Sequence, residues 1–517
     1  MGEYKVLITT SGIGSRLGDL TTYTNKCLVR IGNKPAISYI IESYPISTNF
    51  IITLGHYGSH VKQFLKLTYP DHNFNFIDVD KFQGKGSSLG YSLLQAKSII
   101  TSPFIFHASD TIINDYNVTE PTFNYVLGAH KKDPAQYRTL NLLSDKLVKI
   151  NEQGELNYDL SYIGVAGIKD YKLFFTQLEN QILTQQENTS DVHAINKMTP
   201  QVNFKALSIK ENNWYDVGNT TELALTRKFF QGNIEVLDKQ NESIFFFKDF
   251  IIKFFYDATI SNNRVKRAKK LYPLVPKVIS STENFYKYEK AEGKLFSKSV
   301  KPNNFLDFLH WADDLLWVNC LEDTLSFKNK CKKFYIDKSK KRISKYLEDN
   351  IDPQTINGEN ILPINDLFDQ IDFDMLCDGI PSQFHGDFIL DNIIETQEGF
   401  TLIDWRQDFG GDLEVGDLYY DLAKLNHNLT VNHGIIEQSL FSSSPDNCYI
   451  LCNSTLIECK KILHKFIKDK GYDLNKVELL SSIIWLNMAP LHEYPFNKFL
   501  FNFGKYNLHK NLNNEIS

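Results

Sequence analysis

Short apolar runs alternate with segments of helical periodicity along the first part of the chain. Apolar runs begin at Val6, Phe50, Phe74 and Phe104, and helical patterns such as that of residues 37–43 lie between them. Strands that alternate with amphipathic helices are typical of a mostly parallel sheet with helices on both faces. The pattern therefore predicts an α/β domain that binds its ligand at the carboxyl ends of the strands.

The pattern changes after Gly232. Two apolar runs, 243–247 and 250–255, flank a Lys-Asp turn and predict an antiparallel hairpin. From about Phe305 onward, long helical patterns dominate. We therefore predict two domains, the second of them bilobal and α+β: 1–234, and 235–517 with a strand-rich lobe over about 235–295 and a helical lobe over about 296–517.

Composition excludes several classes of protein. The 517 residues are 42 % apolar and 23 % charged, which is an ordinary globular balance, and 56 basic against 62 acidic side chains give a formal charge of −6. The seven cysteines are scattered without a CxxC pair, which suits neither a disulfide framework nor a zinc site. We expect a cytoplasmic protein that binds small molecules, not nucleic acid or membrane, and leave open a homo-oligomer.

A glycine-containing loop follows the first predicted strand. It contains Gly12, Gly14, Ser15 and Arg16, and Lys26 lies further along. Two glycines let backbone N–H groups approach phosphate oxygens, and the arginine and lysine supply positive charge where a triphosphate would lie. Taken alone, such a loop is as often a simple turn.

Further residues in the same order make the loop more specific. Gln83, Gly86 and Ser87 form a second glycine-containing segment, and Asp110 and Asp216 each follow an apolar strand. Two carboxylates at strand ends are the ligands that Mg²⁺ requires when it bridges phosphates. The alternative for either aspartate alone is a helix cap or a turn.

With these motifs, about the first 230 residues resemble the sugar-phosphate nucleotidylyltransferases and the related bacterial phosphocholine cytidylyltransferases. The resemblance implies a Rossmann-like nucleotidyltransferase sheet and attack by an acceptor phosphate on the α-phosphorus of a nucleoside triphosphate, with release of pyrophosphate. It implies that Arg16 and Lys26 are catalytic and that Asp110 and Asp216 hold Mg²⁺.

The same resemblance implies nucleotide contacts at the two glycine-containing segments, which are Gly12, Gly14, Ser15, Gln83, Gly86 and Ser87. Thr10 and Ser11 replace the small Ala/Gly residues that the family usually has near the base. The short length of the domain resembles the cytidylyltransferase branch, so CTP is preferred, with UTP and GTP left open.

The strongest motif of the chain lies in its second half. Asp387 follows His385 and Gly386, Asn392 comes five residues later, and Asp404 ends an apolar run twelve residues after that. This spacing places one base and two Mg²⁺ ligands around a γ-phosphate. Residues of about 235–517 resemble the aminoglycoside phosphotransferase and choline kinase group of small-molecule kinases.

That resemblance implies a role for each residue. Asp387 would orient or deprotonate the acceptor hydroxyl, Asn392 and Asp404 would hold Mg²⁺ on ATP, and Lys253 would contact the ATP phosphates. The chain lacks the glycine-rich phosphate loop of such kinases and offers no clear acidic partner for Lys253. We expect Asp417 to cap the following helix or brace the catalytic loop.

The two halves together predict a bifunctional enzyme that uses ATP, CTP and Mg²⁺. The kinase half phosphorylates a small alcohol or sugar, and the transferase half converts that phosphate into a nucleoside-diphosphate-linked precursor of surface polysaccharide, such as CDP-choline, a CDP-polyol or an NDP-sugar. One alternative is that a single site is active and the other half is a binding or regulatory module. Another is a protein kinase or a nucleic-acid-modifying transferase, which the net negative charge disfavours.

Overall fold

The computed structural model describes residues 4–130, 134–185, 188–230, 239–442, 444 and 447–513. Contacts divide the chain into two compact units, the first comprising Met1–Ser261 with Ile279–Tyr288 and the second Asn262–Val278 with Glu289–Ser517. The predicted domain boundary between residues 234 and 235 lies outside the described residues and stays a prediction. The hairpin that follows it belongs to the first unit by its contacts.

Among the described residues, seventeen strands and six α-helices lie wholly or mostly in the first unit. The strands are β1 (Lys5–Thr9), β2 (Arg30–Ile31), β3 (Lys34–Pro35), β4 (Asn49–Leu54), β5 (Asn73–Asp78), β6 (Phe104–Ala108), β7 (Thr111–Ile113), β8 (Asn124–Ala129), β9 (Thr139–Leu143), β10 (Lys146–Asn151), β11 (Leu160–Ile168), β12 (Phe204–Ile209), β13 (Trp214–Asp216), β14 (Glu242–Phe246), β15 (Phe250–Phe255), β16 (Val278–Ser281) and β17 (Phe285–Glu289). The helices are α1 (Ala36–Glu42), α2 (Gly58–Thr68), α3 (Leu89–Leu94), α4 (Tyr171–Gln185), α5 (Asp191–Met198) and α6 (Thr220–Phe229).

A nine-stranded sheet with the order β5-β4-β1-β6-β11-β8-β12-β10-β9 forms the centre of this unit. The predicted α/β architecture is confirmed, but the sheet is mixed and not mostly parallel. β5, β4, β1 and β6 are mutually parallel, whereas β11 runs antiparallel to both β6 and β8. Periodicity reports burial and not strand direction, so the apolar runs could not distinguish these cases.

Both faces of the sheet are buried. On β1, Val6 and Ile8 belong to one apolar cluster and Leu7 to another, as expected when alternate side chains point to opposite faces. Thr9 at the end of β1 pairs with Ala108 at the end of the parallel strand β6. The loops that follow these two strands therefore leave the sheet side by side.

The four-stranded sheet β14-β15-β17-β16 shares an apolar core with α2. Phe64 of α2 is fully buried, and its ring centre lies 5.4 Å from that of Phe245 and 5.9 Å from that of Phe285. The predicted hairpin is confirmed, since β14 and β15 pair antiparallel around Lys248 and Asp249. Its apolar face is covered by α2 of the same unit.

The second unit is mainly helical. Its strands are short: β18 (Lys294–Leu295), β19 (Thr355–Ile356), β20 (Glu359–Asn360), β21 (Pro381–Ser382), β22 (Ile393–Thr396), β23 (Gly399–Leu402) and β24 (Gly416–Asp417). Its helices comprise most of α7 (Ala258–Leu271), then α8 (Phe296–Ser299), α9 (Pro302–Leu315), α10 (Thr324–Lys332), α11 (Lys338–Leu347), α12 (Ile364–Asp369), α13 (Phe373–Cys377), α14 (Leu418–Asn428), α15 (His433–Glu437), α16 (Ser454–Asp469), α17 (Leu474–Met488) and α18 (Phe496–Leu512).

Within the described ranges, none of the helices has the length and apolar character needed to cross a membrane. The hairpin β22–β23 separates the segment 384–392 from Asp404, so the residues of the predicted kinase motif lie at its two ends.

Candidate functional site

The first candidate site begins at the loop after β1. Gly14 adopts a left-handed conformation, with φ of 73° and ψ of 33°, which favours glycine. A Cβ atom on Gly14 would lie 2.8 Å from the Cβ of Lys26. Glycine is therefore favoured at position 14 for two reasons: the backbone is left-handed there, and a side chain would clash with Lys26.

Lys26 is fixed both at its backbone, through its neighbour Asn25, and at its ammonium group, through an ion pair. Its neighbour Asn25 is fully buried and donates hydrogen bonds to the carbonyls of Thr10 at 2.7 Å and His56 at 2.6 Å, while its side-chain oxygen accepts one from Cys27 N at 3.0 Å. The Lys26 ammonium forms an ion pair with Asp110 at 3.0 Å. Sequence reasoning did not single out Asn25, since the two carbonyls to which it donates, those of Thr10 and His56, lie 15 and 31 residues away along the chain.

The two aspartates meet because β7 pairs antiparallel with β13. Thr111 pairs with Asp216, and Val217 N donates to the Asp110 carbonyl at 3.0 Å. A Cβ atom on Gly218 would lie 3.1 Å from Asp216 Oδ1, 3.2 Å from Arg16 Nη2 and 3.3 Å from Asp110 Oδ2. Four of the predicted residues, Arg16, Lys26, Asp110 and Asp216, therefore converge at one place.

The two carboxylates have opposite electrostatic surroundings. Burial alone would raise the pKa of Asp110, but the charges of Lys26 and Arg16 outweigh it and hold that pKa below its usual range. Burial and the nearby charge of Asp110 raise the pKa of Asp216 to about 6, although hydrogen bonds from Gly218 N and the Tyr137 hydroxyl oppose the rise. A pair of carboxylates in close proximity is a typical site for a divalent cation.

A cavity of about 350 Å³ opens beside this cluster. Of the predicted residues, Gly12, Arg16, Lys26, Ser87 and Asp110 line it. Gly14, Ser15, Gln83, Gly86 and Asp216 are not among its lining residues, and the Gln83 side chain is exposed. Ser11 also lines the cavity, and its hydroxyl lies 2.7 Å from that of Ser92 on α3.

The second candidate site is built around Asp387. Its Oδ1 forms an ion pair with Lys424 Nζ at 2.7 Å, and its Oδ2 accepts a hydrogen bond from Asn392 Nδ2 at 3.1 Å. Burial alone would raise the pKa of Asp387, but the charge of Lys424 outweighs this effect and lowers that pKa to about 2. The structure thus brings Asp387 and Asn392 together, as the motif spacing predicts, and adds Lys424 from α14.

Asp404 lies at the end of the apolar segment after β23. It has a positive φ of 57°, which is uncommon for a residue other than glycine. The guanidinium of Arg264 on α7 forms an ion pair with Asp404 Oδ1. Lys253 is a buried residue of β15, 8 % exposed, and belongs to the first unit.

Buried polar groups fix the backbone around Asp387. Asp421 accepts hydrogen bonds from the backbone of His385 and of Gly386, both at 2.7 Å, and burial raises its pKa to about 6. Arg267 donates to four backbone carbonyls around this segment, and its guanidinium lies 3.8 Å from the centre of the Phe384 ring. These contacts hold the loop independently of any ligand.

Asp417 caps α14 by accepting a hydrogen bond from Tyr419 N, which confirms the predicted capping role. Sequence reasoning missed Lys424, Arg264, Arg267 and Asp421. Lys424 and Asp421 lie in a helical pattern whose charged positions look solvent-facing, and only the tertiary contacts distinguish them. In the described part of the chain, no group of three or more His, Cys, Asp or Glu side chains is arranged to hold a metal ion.

Comparisons with known proteins cover only part of the chain. No protein-family model matches it. Over 241 residues it is 24 % identical to the bifunctional protein GlmU of Campylobacter lari, a match that covers 45 % of this chain and 55 % of that protein. The chain therefore spans about half the length of the curated relative that it matches.

Two solved structures each match less than half of the chain. The CTP:phosphocholine cytidylyltransferase LicC from Streptococcus pneumoniae matches with 18 % identity and a TM-score of 0.38, covering 44 % of this chain and 100 % of its own. The inositol-1-phosphate CTP transferase from T. maritima matches with 14 % identity and a TM-score of 0.38, covering 44 % of this chain and 96 % of its own.

Proposed function

We propose that the first site transfers a nucleotidyl group from a nucleoside triphosphate, with CTP preferred, to the phosphate of a small acceptor. The observation that carries this proposal is the convergence of Arg16, Lys26, Asp110 and Asp216 beside a cavity whose wall includes the loop after β1. Three of these groups line a cavity of about 350 Å³ and Asp216 lies beside them, and two cations with two carboxylates suit chemistry on a phosphate chain.

The residues would act by position and charge. In the reaction, an acceptor phosphate oxygen forms a bond to the α-phosphorus, the bond to the bridging oxygen of the β-phosphate breaks, and pyrophosphate leaves with the electron pair. Arg16 and Lys26 would stabilise the negative charge that develops on the phosphates. Asn25 fixes the lysine backbone so that its ammonium is held before the substrate binds.

The donor set of this site fits Mg²⁺. Asp110 Oδ2 and Asp216 Oδ1 both face the position around Gly218, and hard oxygen donors are the ligands that this ion prefers. When bound, Mg²⁺ would neutralise phosphate charge between the nucleotide and the acceptor. In the second site, Asn392 and Asp404 are the residues that would hold it.

For the second site we propose phosphorylation of a small alcohol or sugar by ATP. The acceptor hydroxyl oxygen forms a bond to the γ-phosphorus, the bond to the β,γ-bridging oxygen breaks, and ADP leaves. Asp387 would orient the hydroxyl and receive its proton. The ion pair with Lys424 keeps Asp387 ionised. Lys253 belongs to the first unit, and its contact with the ATP phosphates stays a prediction.

The two reactions would be consecutive. Phosphorylation by the second site supplies the phosphate that the first site requires, and the product is a nucleoside-diphosphate-linked compound of the kind used as a precursor of surface polysaccharide. We assign this pathway to the cytoplasm, where both triphosphates are available.

The experiment that tests the proposal is mass spectrometry of products after incubation of the whole chain with Mg²⁺, ATP, CTP and a pool of alcohols, polyols and sugars. UTP and GTP are tested in parallel. The expected product has the mass of the nucleoside diphosphate joined to the acceptor. A phosphorylated acceptor without a nucleotidylated product would contradict the assignment of the first site.

One observation favours the alternative in which only the first site is active. Asp404 is paired with Arg264, so an arginine takes a carboxylate oxygen that the kinase reaction assigns to Mg²⁺. Under this alternative the second unit would bind a ligand without reaction. Loss of γ-phosphate transfer from ATP in Asp387→Asn, with transfer present in the native chain, would exclude it.

A further inference from the structure

A group of positively charged side chains lies beside Asp387 in the second unit. Lys338 and Arg342 are one turn apart on α11, Arg406 follows two residues after Asp404, and Lys424 lies on α14. We call Lys338, Arg342, Arg406 and Lys424 the basic cluster. All four side chains are half-buried, so they differ from the exposed lysines of the molecular surface.

Aromatic rings hold the basic cluster together. Lys338 Nζ lies 4.0 Å from the centre of the Phe334 ring, and Arg406 Cζ lies 4.8 Å from the same centre. Lys338 Nζ also lies 5.9 Å from the centre of the Tyr420 ring, one turn before Lys424 on α14. Cation–π contacts stabilise such groups without neutralising their charge.

Apart from Lys424, which forms an ion pair with Asp387, the members of the basic cluster have few counter-charges. Among the described residues, no carboxylate lies within 4.0 Å of the charged nitrogens of Lys338, Arg342 or Arg406. Arg342 donates to the Asn487 carbonyl at 3.2 Å, and Arg406 Nε is buried without a hydrogen-bond partner. Asp408 offsets part of the charge from further away.

Charge repulsion within the basic cluster destabilises the protein when no ligand is bound. Burial and the positive charges of Arg406, Arg342 and Lys424 hold the pKa of Lys338 well below its usual range. Like charges that are partly removed from water repel each other more strongly than on an open surface. Such an arrangement is stabilised when a bound anion supplies the missing negative charge.

The local backbone also departs from regular structure. A π-helical segment, Lys333–Asp337, joins α10 to α11 and positions both the Phe334 ring and the start of α11. Such segments are uncommon inside helices and occur frequently at functional sites.

The carboxylate of Asp387 separates two regions. Its Oδ2 faces Asn392, which belongs to the proposed ATP and Mg²⁺ side, and its Oδ1 faces Lys424, which belongs to the basic cluster. A hydroxyl that is oriented by Asp387 would therefore have Lys424, a member of the basic cluster, on the other side of the carboxylate from Asn392.

We propose that the basic cluster binds an oxyanion group, a phosphate or a carboxylate, carried by the acceptor that the second site phosphorylates. The proposal rests on the proposed kinase function of that site and narrows its substrate class. The acceptor is then a hydroxy acid or a phosphorylated polyol, and a cationic acceptor such as choline is disfavoured by charge repulsion.

The experiment compares four three-carbon or similarly small acceptors that differ in charge: glycerol, glycerol phosphate, glycerate and choline. Phosphorylation by the whole chain is measured with ATP, and binding of inorganic phosphate to Asp387→Asn is measured by calorimetry. We expect turnover of glycerol phosphate or glycerate, and the preferred one of the two identifies the oxyanion. We also expect phosphate to bind to Asp387→Asn.

Lys338→Met tests the cluster directly, and Lys341→Met, on the exposed face of the same helix, is the matched control. Lys338→Met should raise the KM for the acceptor about tenfold or more and leave the KM for ATP unchanged, because one charge-assisted contact is lost. It should also raise the melting temperature of the free protein, since it removes repulsion. Arg342→Met serves as a second variant.

Three results would overturn the proposal: choline or glycerol as the preferred acceptor with no effect of Lys338→Met, a rise in the KM for ATP alone, or no binding of inorganic phosphate to Asp387→Asn. Absence of any phosphorylation, with phosphate binding that Lys338→Met weakens, would instead contradict the kinase function while it supports the oxyanion site.

Discussion

At the scale of single residues, the first candidate site holds two carboxylates close together in a buried position, which lowers the stability of the folded protein. Asp216 has a folded-state pKa of about 6, above the ordinary aspartate value of 3.8, chiefly because it is buried beside Asp110. The folded state therefore binds more protons than the unfolded state between about pH 4 and 6. The contribution of Asp216 to stability is favourable at low pH and is lost as the pH rises through this window.

Asp216→Asn should therefore stabilise the metal-free protein at pH 7 to 8 by about 1–3 kcal/mol, because the amide carries no charge to repel Asp110. The gain should vanish near pH 4, and nucleotidyl transfer should be lost. Melting temperatures with and without MgCl₂ are the measurement: the ion should stabilise the native chain more than the variant. Exposed Asp71→Asn is the control. Equal melting temperatures at pH 8 would contradict this view of the carboxylate pair.

Gly14 supports a second prediction at this scale. Gly14→Ala combines backbone strain with a clash, because the new methyl group would lie 2.8 Å from Lys26 Cβ. Displacement of a catalytic group by about 1 Å can reduce a rate by about 100-fold, so we expect a loss of that order in nucleotidyl transfer. Steady-state assays with CTP and a phosphorylated acceptor measure it.

Gly471 provides the matched control for this substitution. It has a φ of 75°, close to the 73° of Gly14, and a Cβ atom on it would meet no atom within 4 Å. Gly471→Ala should cost about 1 kcal/mol of stability from backbone strain and leave nucleotidyl transfer unchanged. If both variants transfer nucleotide equally well, the close approach to Lys26 has no role in the reaction.

At the scale of elements, α2 is the support for the strands β14–β17. Phe64→Ala removes a fully buried ring that contacts Phe245 and Phe285, and such a truncation typically costs about 3–5 kcal/mol. We expect the urea midpoint to fall and amide hydrogen exchange to accelerate in 242–246 and 285–289 as well as in α2. Lys66→Ala, exposed on the same helix, should leave both unchanged. Acceleration confined to α2 would mean that these strands do not depend on it.

The sequence predicted where strands lie along the chain better than whether neighbouring strands run parallel or antiparallel. The apolar runs at Phe50 and Phe104 and the hairpin around Lys248 form strands where the pattern places them. The antiparallel direction of β11 could not be predicted, because burial on both faces produces the same apolar run in either orientation.

In the candidate sites, too, contacts within a local motif could be predicted, whereas contacts between distant segments could not. Asp387 and Asn392 are five residues apart, so a local motif was enough to predict their contact. Lys424 and Arg264 reach the same motif from other helices, and no local pattern distinguishes them from surface charges. Glycines that face a distant side chain, such as Gly218, were likewise beyond sequence reasoning, since the need for glycine arises only from tertiary contacts.

At the scale of the whole molecule, the proposed order of reactions means that a defect in one site can be compensated from solution, either by added intermediate or by a second protein molecule whose corresponding site is intact. Asp387→Asn should abolish product formation from an unphosphorylated acceptor, yet it should form product at the native rate when the acceptor is supplied already phosphorylated. Lys26→Met should accumulate the phosphorylated acceptor without nucleotidyl transfer, because it removes the charge beside Asp110. Chromatography of both nucleotides and both acceptor forms measures these outcomes.

A mixture of the two variants should then restore conversion of the unphosphorylated acceptor, with a lag while the intermediate accumulates in solution. The lag should shorten as the concentration of Asp387→Asn is raised, since that variant supplies the working first site. A mixture that forms no product, although each variant performs its own single reaction, would show that the intermediate does not leave the protein. Failure of Asp387→Asn to use the phosphorylated acceptor would instead show that the reaction of the first site depends on Asp387, which contradicts the independence of the two reactions.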